Sequence, residues 1–279
     1  MKNRHVLREA VRHLILIILA LYTLAPLLFL FVNAFKSNNE IIASPVALPE
    51  HWTLQYIKTA MEAINFGKAL GLTFIITFFS ILLLVIVSSF AAWAMVRSKT
   101  ILSNIVFLCF TAAMLVPFQS LMYPLLSVFE KMGLKNVQGL ILMYGGFGLS
   151  MSVFLYHGFI KSVPASLEEA AVLDGANLFQ MFFKVVFPLL KGTTVTVIVL
   201  NGMWIWNDYL LPFLVIGNKT GSKTLTLELY FAKLTSGQYG NPWELIFPAV
   251  FVTIIPIIIL YIFLQKYIVA GVSEGAVKM

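Results

Sequence analysis

The sequence predicts an all-α, polytopic membrane protein with six transmembrane helices, and three observations predict it. Of 279 residues, 60% are hydrophobic and 11% charged, with a mean hydropathy of +0.92, which is more apolar surface than one aqueous core can hide. Six apolar runs, residues 14–35, 69–96, 100–129, 136–160, 192–217 and 245–265, each exceed the roughly 20 residues that cross about 30 Å of hydrocarbon at about 1.5 Å per residue. The basic residues lie between these runs instead of along one stripe. The net charge of +7 is therefore read as a set of topology signals and not as a nucleic-acid surface.

The first run follows Lys2, Arg4, Arg8 and Arg12, and Val32-Asn33-Ala34 loosely resembles a cleavage site. Its apolar core is longer than the about 7 to 15 residues of a signal-peptide core, so it is read as an uncleaved anchor. Residues 1–13 are then a cytoplasmic N-terminal segment and 14–35 the first anchor. Residues 36–68 form an extracytoplasmic loop, where Pro45, Pro49 and Trp52 point to an ordered cap on the membrane surface. Residues 69–265 form a core of five helices, and 266–279 a cytoplasmic tail. The second and third runs are long enough to tilt or protrude, and Pro117 and Pro124 should kink the third.

An even number of spans puts both termini on one side. That side carries a net +6, against +2 on the other before Asp208 is counted, and four of its basic residues precede the first span. The termini and the segment 161–191 are therefore assigned to the cytoplasm.

In that segment, Pro164 closes the fourth span. Ser166 followed by Glu169 reads as a capping box that starts a short helix, with Glu168 and Glu169 in its first turn against the helix dipole. Ala170 and Ala171 either let another surface approach closely or serve helix propensity alone. After Asp174, Gly175 supplies the left-handed residue that ends the helix. Asn177 with Gln180 caps a second helix, which runs until Pro188. The pattern is helix, Gly turn, helix.

Glu169-Ala170-Ala171, three residues, Gly175, nine residues, then Val185, Phe187 and Pro188 resemble the EAA loop of permease subunits of binding-protein-dependent ABC importers. In that family the pattern ends Ile-x-Leu-Pro, and Val185 and Phe187 keep that face apolar. The resemblance implies a type I ABC importer permease fold in the cell membrane. It also implies that Ser166, Glu168, Glu169, Ala170, Ala171, Asp174, Gly175 and Pro188 belong to a coupling element docked into a groove on a cytoplasmic ABC ATPase dimer. Trp206-Asn207-Asp208-Tyr209 to Pro212, and a tail from Gln265 to Gly271 and Gly275 to Lys278, are similar to the smaller permease of maltose-type carbohydrate importers. Ser150 stands where many relatives have proline, and Met279 where glycine is common. This resemblance implies a sugar or oligosaccharide substrate, a second and different permease, and an extracytoplasmic solute-binding protein. It further implies ATP and Mg on the ATPase, with no cofactor on this chain.

Residues 217–224 come within one residue of a P-loop, with Ser222 at the second required glycine. The missing glycine, the absent strand-to-helix context and the outer location argue for a polar turn. Asp208 would cost about 2.5 to 3.5 kcal/mol at a span centre, which the run's Val, Ile, Leu and Phe residues offset at about 0.3 to 0.6 each, so the carboxylate needs a polar neighbour. It lies about 24 Å along the run, in the outer half. Asn207 and Asp208 either border the translocation route or its gate, or form a buried structural pair. Trp204, Trp206 and Tyr209 either stack on sugar rings or pack near the interface. Cys109 lies in an apolar run and reads as core filler. The four histidines lack ligand spacing, so neither catalysis nor a metal site is expected. The alternatives are an ABC importer for a non-sugar solute and an ion-driven secondary transporter, which would carry several midplane acids.

Overall fold

The computed structural model describes residues 2–217, 223–236 and 241–276, and side-chain surroundings for 8–217, 223–233, 241–263 and 265. Most of the near-P-loop stretch, residues 218–222, and the last three residues of the tail lie outside them. Among the described residues every regular element is helical.

α1 (Lys2–Asn33) is followed by a loop that is ordered, as the prolines and Trp52 suggest. Lys36 is buried, and its Nζ donates to the carbonyls of Ser44 (2.9 Å) and Pro45 (3.3 Å). Trp52 sits against Phe35 (5.1 Å) and Phe31 (6.1 Å). α2 (Asn38–Ala43) starts with a capping box of Ser37 and Glu40, and the Glu40 carboxylate also accepts from the Glu50 amide at 2.9 Å. These amides hold the Glu40 carboxyl below its usual range. A carboxyl whose folded value lies below its unfolded one stabilises fully above the unfolded value and ceases to as pH falls through the folded one. Exchange protection of the α2 amides is accordingly expected to persist from neutral pH down through the ordinary carboxylate range and to fail only below it. Loss at mildly acidic pH would contradict the contact.

α3 (Gln55–Ala63) leads into α4 (Phe66–Ser98), whose buried face carries Thr73, Ile76, Ser80, Leu84, Ser88 and Trp93. α5 (Ile101–Ala113) is capped by Thr100, and α6 (Phe118–Lys131) leaves it at 107°. The third apolar run is thus broken rather than kinked. Pro117 lacks an amide hydrogen and pushes its predecessor out of helical geometry, so it serves as the N-cap residue of a new helix. α7 (Val137–Ile160) is capped by Asn136. The elbow helices follow: α8 (Ser166–Leu173), α9 (Leu178–Met181), a wide π turn (Phe182–Val186) and α10 (Phe187–Leu189).

The fifth run is also not one helix. α11 (Lys191–Asn207) stops at Asp208, which is extended (ψ 132°), and α12 (Leu210–Val215) takes over. α13 (Leu225–Ser236) and α14 (Trp243–Ala276) complete the chain, the latter with Pro248 and Pro256 inside. α1, α4, α7 and α14 are long and apolar enough to cross a membrane, and two bent helix pairs raise the number to six if each is one span.

The chain divides into two compact units. One is formed by the chain up to Gly67 with Glu228–Pro256, and its core joins Ala60 and Ile64 to Ala249 and Val252. The other, Lys68–Leu227 with the stretch from Ile257, packs α4, α7 and α11 on each other. A Cβ at Gly148 of α7 would meet Asn201 Oδ1 and Leu84 Cδ1 at 2.6 Å, so these side chains close over α7 in space that a larger residue would make them give up. Polar bridges fix the α7–α11 register: Asn201 Nδ2 donates to Ser152 Oγ (3.1 Å), and Tyr156 hydroxyl to Thr194 Oγ1 (2.9 Å).

Candidate functional site

The elbow begins where α7 ends, and its first helix starts differently from the sequence expectation. The N-cap position of α8 is Ala165, in helical conformation, and no side chain caps it. Ser166 is the first helical residue, so the Ser166–Glu169 box does not form. Capping requires extended backbone at the hydroxyl residue, whereas here the Ala165 carbonyl already accepts from the Glu168 and Glu169 amides at 2.9 and 3.1 Å.

The two glutamates part company. Glu168 is 8% exposed and turns into the protein. Arg97, in the last turn of α4, brings Nη2 to 2.7 Å and Nε to 2.8 Å from its Oε1, while Trp93 Nε1 donates to its Oε2 at 3.0 Å. Glu169 is exposed, about 100° further round a helix of 3.6 residues per turn. The alanines divide likewise: Ala170 is exposed and Ala171 buried, so only one of them offers a close-approach surface.

Asp174 and Gly175 are exposed, and Gly175 has φ +80°. The left-handed turn expected there is present. So is the capping box between Asn177 and Gln180, at 2.9 and 3.0 Å. The second arm does not end at Pro188. Its π turn bonds the Phe187 amide to the Phe182 carbonyl and opens a fresh short helix, in whose first turn a proline needs no amide hydrogen. Phe182 and Val186 are buried, while Val185 and Phe187 are half-buried.

The exposed side of the elbow also carries large apolar residues, Leu167, Val172, Leu173, Leu178, Phe179 and Phe183, with Leu173 89% exposed, beside the exposed Glu169, Asp174 and Lys184. Large apolar side chains left open on an otherwise polar turn are of the kind that partner surfaces bury.

The second set of residues lies at the α11–α12 break. Asp208 Oδ2 accepts from the Tyr144 hydroxyl of α7, Oδ1 from the Leu210 amide, both at 2.9 Å, and its carbonyl from Thr226 Oγ1 at 2.7 Å. The polar neighbour that insertion demands is thus Tyr144. Asn207 does not pair with Asp208. Its Nδ2 donates back to the Met203 carbonyl at 2.7 Å, and the residue is exposed. Trp204 stands edge-on to Tyr144 at 5.5 Å and is partly open.

Residues 84–274 match the family model described as "Binding-protein-dependent transport system inner membrane component". The chain belongs to this family. The permease is 43% identical over 94% of both chains to the "Probable starch degradation products transport system permease protein AmyC" of Thermoanaerobacterium thermosulfurigenes. It is 34% identical over the whole of both chains to the "Multiple sugar-binding transport system permease protein MsmG" of Streptococcus mutans. It is 33% identical over 91% of both chains to the "Melibiose/raffinose/stachyose import permease protein MelC" of Bacillus subtilis. Its fold matches a chain from the crystal structure of a bacterial ABC transporter involved in the import of the acidic polysaccharide alginate. The TM-score is 0.80 at 23% identity, over 94% of the permease and 96% of that chain. The permease is a multi-pass membrane subunit of an ABC importer, a transport component and not an enzyme, and it works beside an ATPase, a further permease and a binding protein.

Three residues of the permease's sites had no sequence signal as such. Arg97 counts among the basic residues between apolar runs, and Trp93 and Tyr144 lie inside such runs with no motif around them. The clue available was spacing: Trp93 and Arg97 are four apart near the end of α4, hence on one face.

Proposed function

We propose that this chain is one of two different permease subunits of an ATP-driven importer for a sugar or oligosaccharide, coupled to its ATPase through the elbow of α8 and α9. One observation carries the coupling: the elbow leaves Leu173, Phe179 and other large apolar side chains open on the same side as Glu169 and Asp174, while Glu168 pins its inward side. A groove on an ATPase that accepts a short helix buries such a face as an amphipathic helix is buried in any groove. Glu169, Ala170, Asp174 and Gly175 lie on the exposed side and meet the groove; Ser166, Ala171 and Pro188 shape the elbow. ATP and Mg are bound by that partner. The charge asymmetry supports cytoplasmic termini and a cytoplasmic elbow.

The sugar assignment is supported by the starch-product, multiple-sugar and melibiose/raffinose/stachyose names of the relatives. Closure of the ATPase pair shifts the grooves, the elbow carries the shift, and the spans alternate between outward and inward access, with a binding protein delivering solute to the outward state. Both carboxylate oxygens of Asp208 are engaged by Tyr144 and Leu210, so we read it as a packing residue. Trp204 and Asn207, both exposed, are left to face the route.

The test is uptake of labelled oligosaccharides into proteoliposomes holding the permease pair, ATPase and binding protein. Uptake is expected to require ATP and the binding protein. Accumulation driven by an ion gradient without ATP would refute the importer reading, and ATP-driven uptake confined to non-sugar solutes would refute the substrate.

A further inference from the structure

We infer that Arg97, Trp93 and Glu168 are positioning residues that latch the elbow to α4, so that the two move as one lever; the inference rests on the coupling reading above. Phe90, Trp93 and Arg97 follow at i, i+3 and i+7 and therefore lie on one face of the last turns of α4. That face holds the whole elbow. Arg97 grips Glu168 at the start of α8 and, through Nη2, the Val163 carbonyl ahead of it at 3.0 Å. Trp93 donates to the same carboxylate and packs its ring on Phe182 of the π turn at 5.3 Å. Phe90 reaches Phe182 at 4.4 Å and Phe179 of α9 at 6.1 Å. Both arms of the elbow and the approach to it are thus tied to a single helix.

The chemistry suits a lever better than it suits bulk stability. A largely buried ion pair gains little over an apolar replacement of the same shape, because desolvation offsets the attraction, but it tolerates only a narrow range of relative positions. The guanidinium fork sharpens this, since Nε and Nη2 address one oxygen while the indole takes the other. α4 runs for 33 residues, about 50 Å at about 1.5 Å per residue, so a push on the exposed face of α8 is delivered to the cytoplasmic end of a membrane-crossing rod. The adjacent glutamates have opposite duties: Glu169 faces the partner, and Glu168 hands the motion inward.

The experiment uses the full importer in proteoliposomes and reads solute imported per ATP hydrolysed, together with ATPase retained on the purified permease. Arg97→Gln is expected to keep the ATPase bound and to lower the import ratio about fivefold or more, the scale of a coupling free energy between two sites. Arg97→Lys, which keeps the charge and loses the fork, is expected to fall between. Glu168→Gln, nearly isosteric and still able to accept from Trp93, carries the same reading if Arg97→Gln fails to insert. A wild-type ratio in whichever of these variants inserts overturns the latch. Loss of ATPase binding in Arg97→Gln also overturns it, because the triad would then only hold up the docking face. Leu173→Asp separates the two ideas: it is expected to release the ATPase, and retention of the ATPase with normal uptake would sink the docking reading itself.

Discussion

A permease carrying Gly175→Leu is expected to import no solute while staying in the membrane at wild-type abundance. Gly175 adopts φ +80°, where a residue with a Cβ costs about 1 to 2 kcal/mol. A Cβ there would meet nothing within 4 Å of the chain itself, so the strain comes without an internal clash and the span helices have no reason to unfold. The leucine side chain instead projects from the exposed turn, into the volume that the ATPase would fill if it docks there as proposed. Gly175→Asn is the matched control. Asparagine tolerates the left-handed region and is smaller, so it should keep a large share of uptake. Uptake assays on membranes normalised by immunoblot read both variants, and wild-type import by a stably inserted Gly175→Leu would remove the turn from the coupling mechanism.

Asp208→Ala is expected to lower the thermal unfolding midpoint of the detergent-purified permease and to reduce uptake with it. The fully buried Tyr144 hydroxyl loses its acceptor, at about 1 to 3 kcal/mol for a buried group left unpaired, and the part-buried Leu210 amide loses its own. Asp208→Asn retains oxygen for one of them and should lose less. Adding Tyr144→Phe to Asp208→Ala should recover part of the midpoint, since removing both partners of a buried bond costs less than stranding one. Losses that simply add in the double variant would show that Tyr144 and Asp208 do not act on each other.

These two residues also mark how far the sequence could be read. Gly175 and the Asn177–Gln180 box were legible because a left-handed glycine and a side chain reaching an amide three residues on are local events, settled within one turn of chain. The Ser166 box has the same local form and still did not appear. Whether a hydroxyl residue caps a helix or joins it depends on where the preceding backbone enters, and Ala165 enters already helical. Pro117 announced an interruption. Its severity, a 107° turn instead of a kink, was not written in the proline itself. Asp208 demanded a polar neighbour by its insertion cost alone, but Tyr144 lies 64 residues away along the chain, and only the packing of α7 on α11 names it.

By itself the sequence determined that this is an all-helical membrane permease, which way its charges lean, and that a capped, glycine-broken elbow lies between the fourth and fifth apolar runs. Hydropathy, charge and turn chemistry are properties of short windows, so short windows suffice to read them. Only the tertiary structure decided which of two neighbouring glutamates faces outward, which helix the elbow is bolted to, and where two of the apolar runs break. Each of those outcomes depends on which distant face a side chain meets once the helices have packed. Glu168 and Glu169 are chemically identical until Arg97 arrives beside one of them.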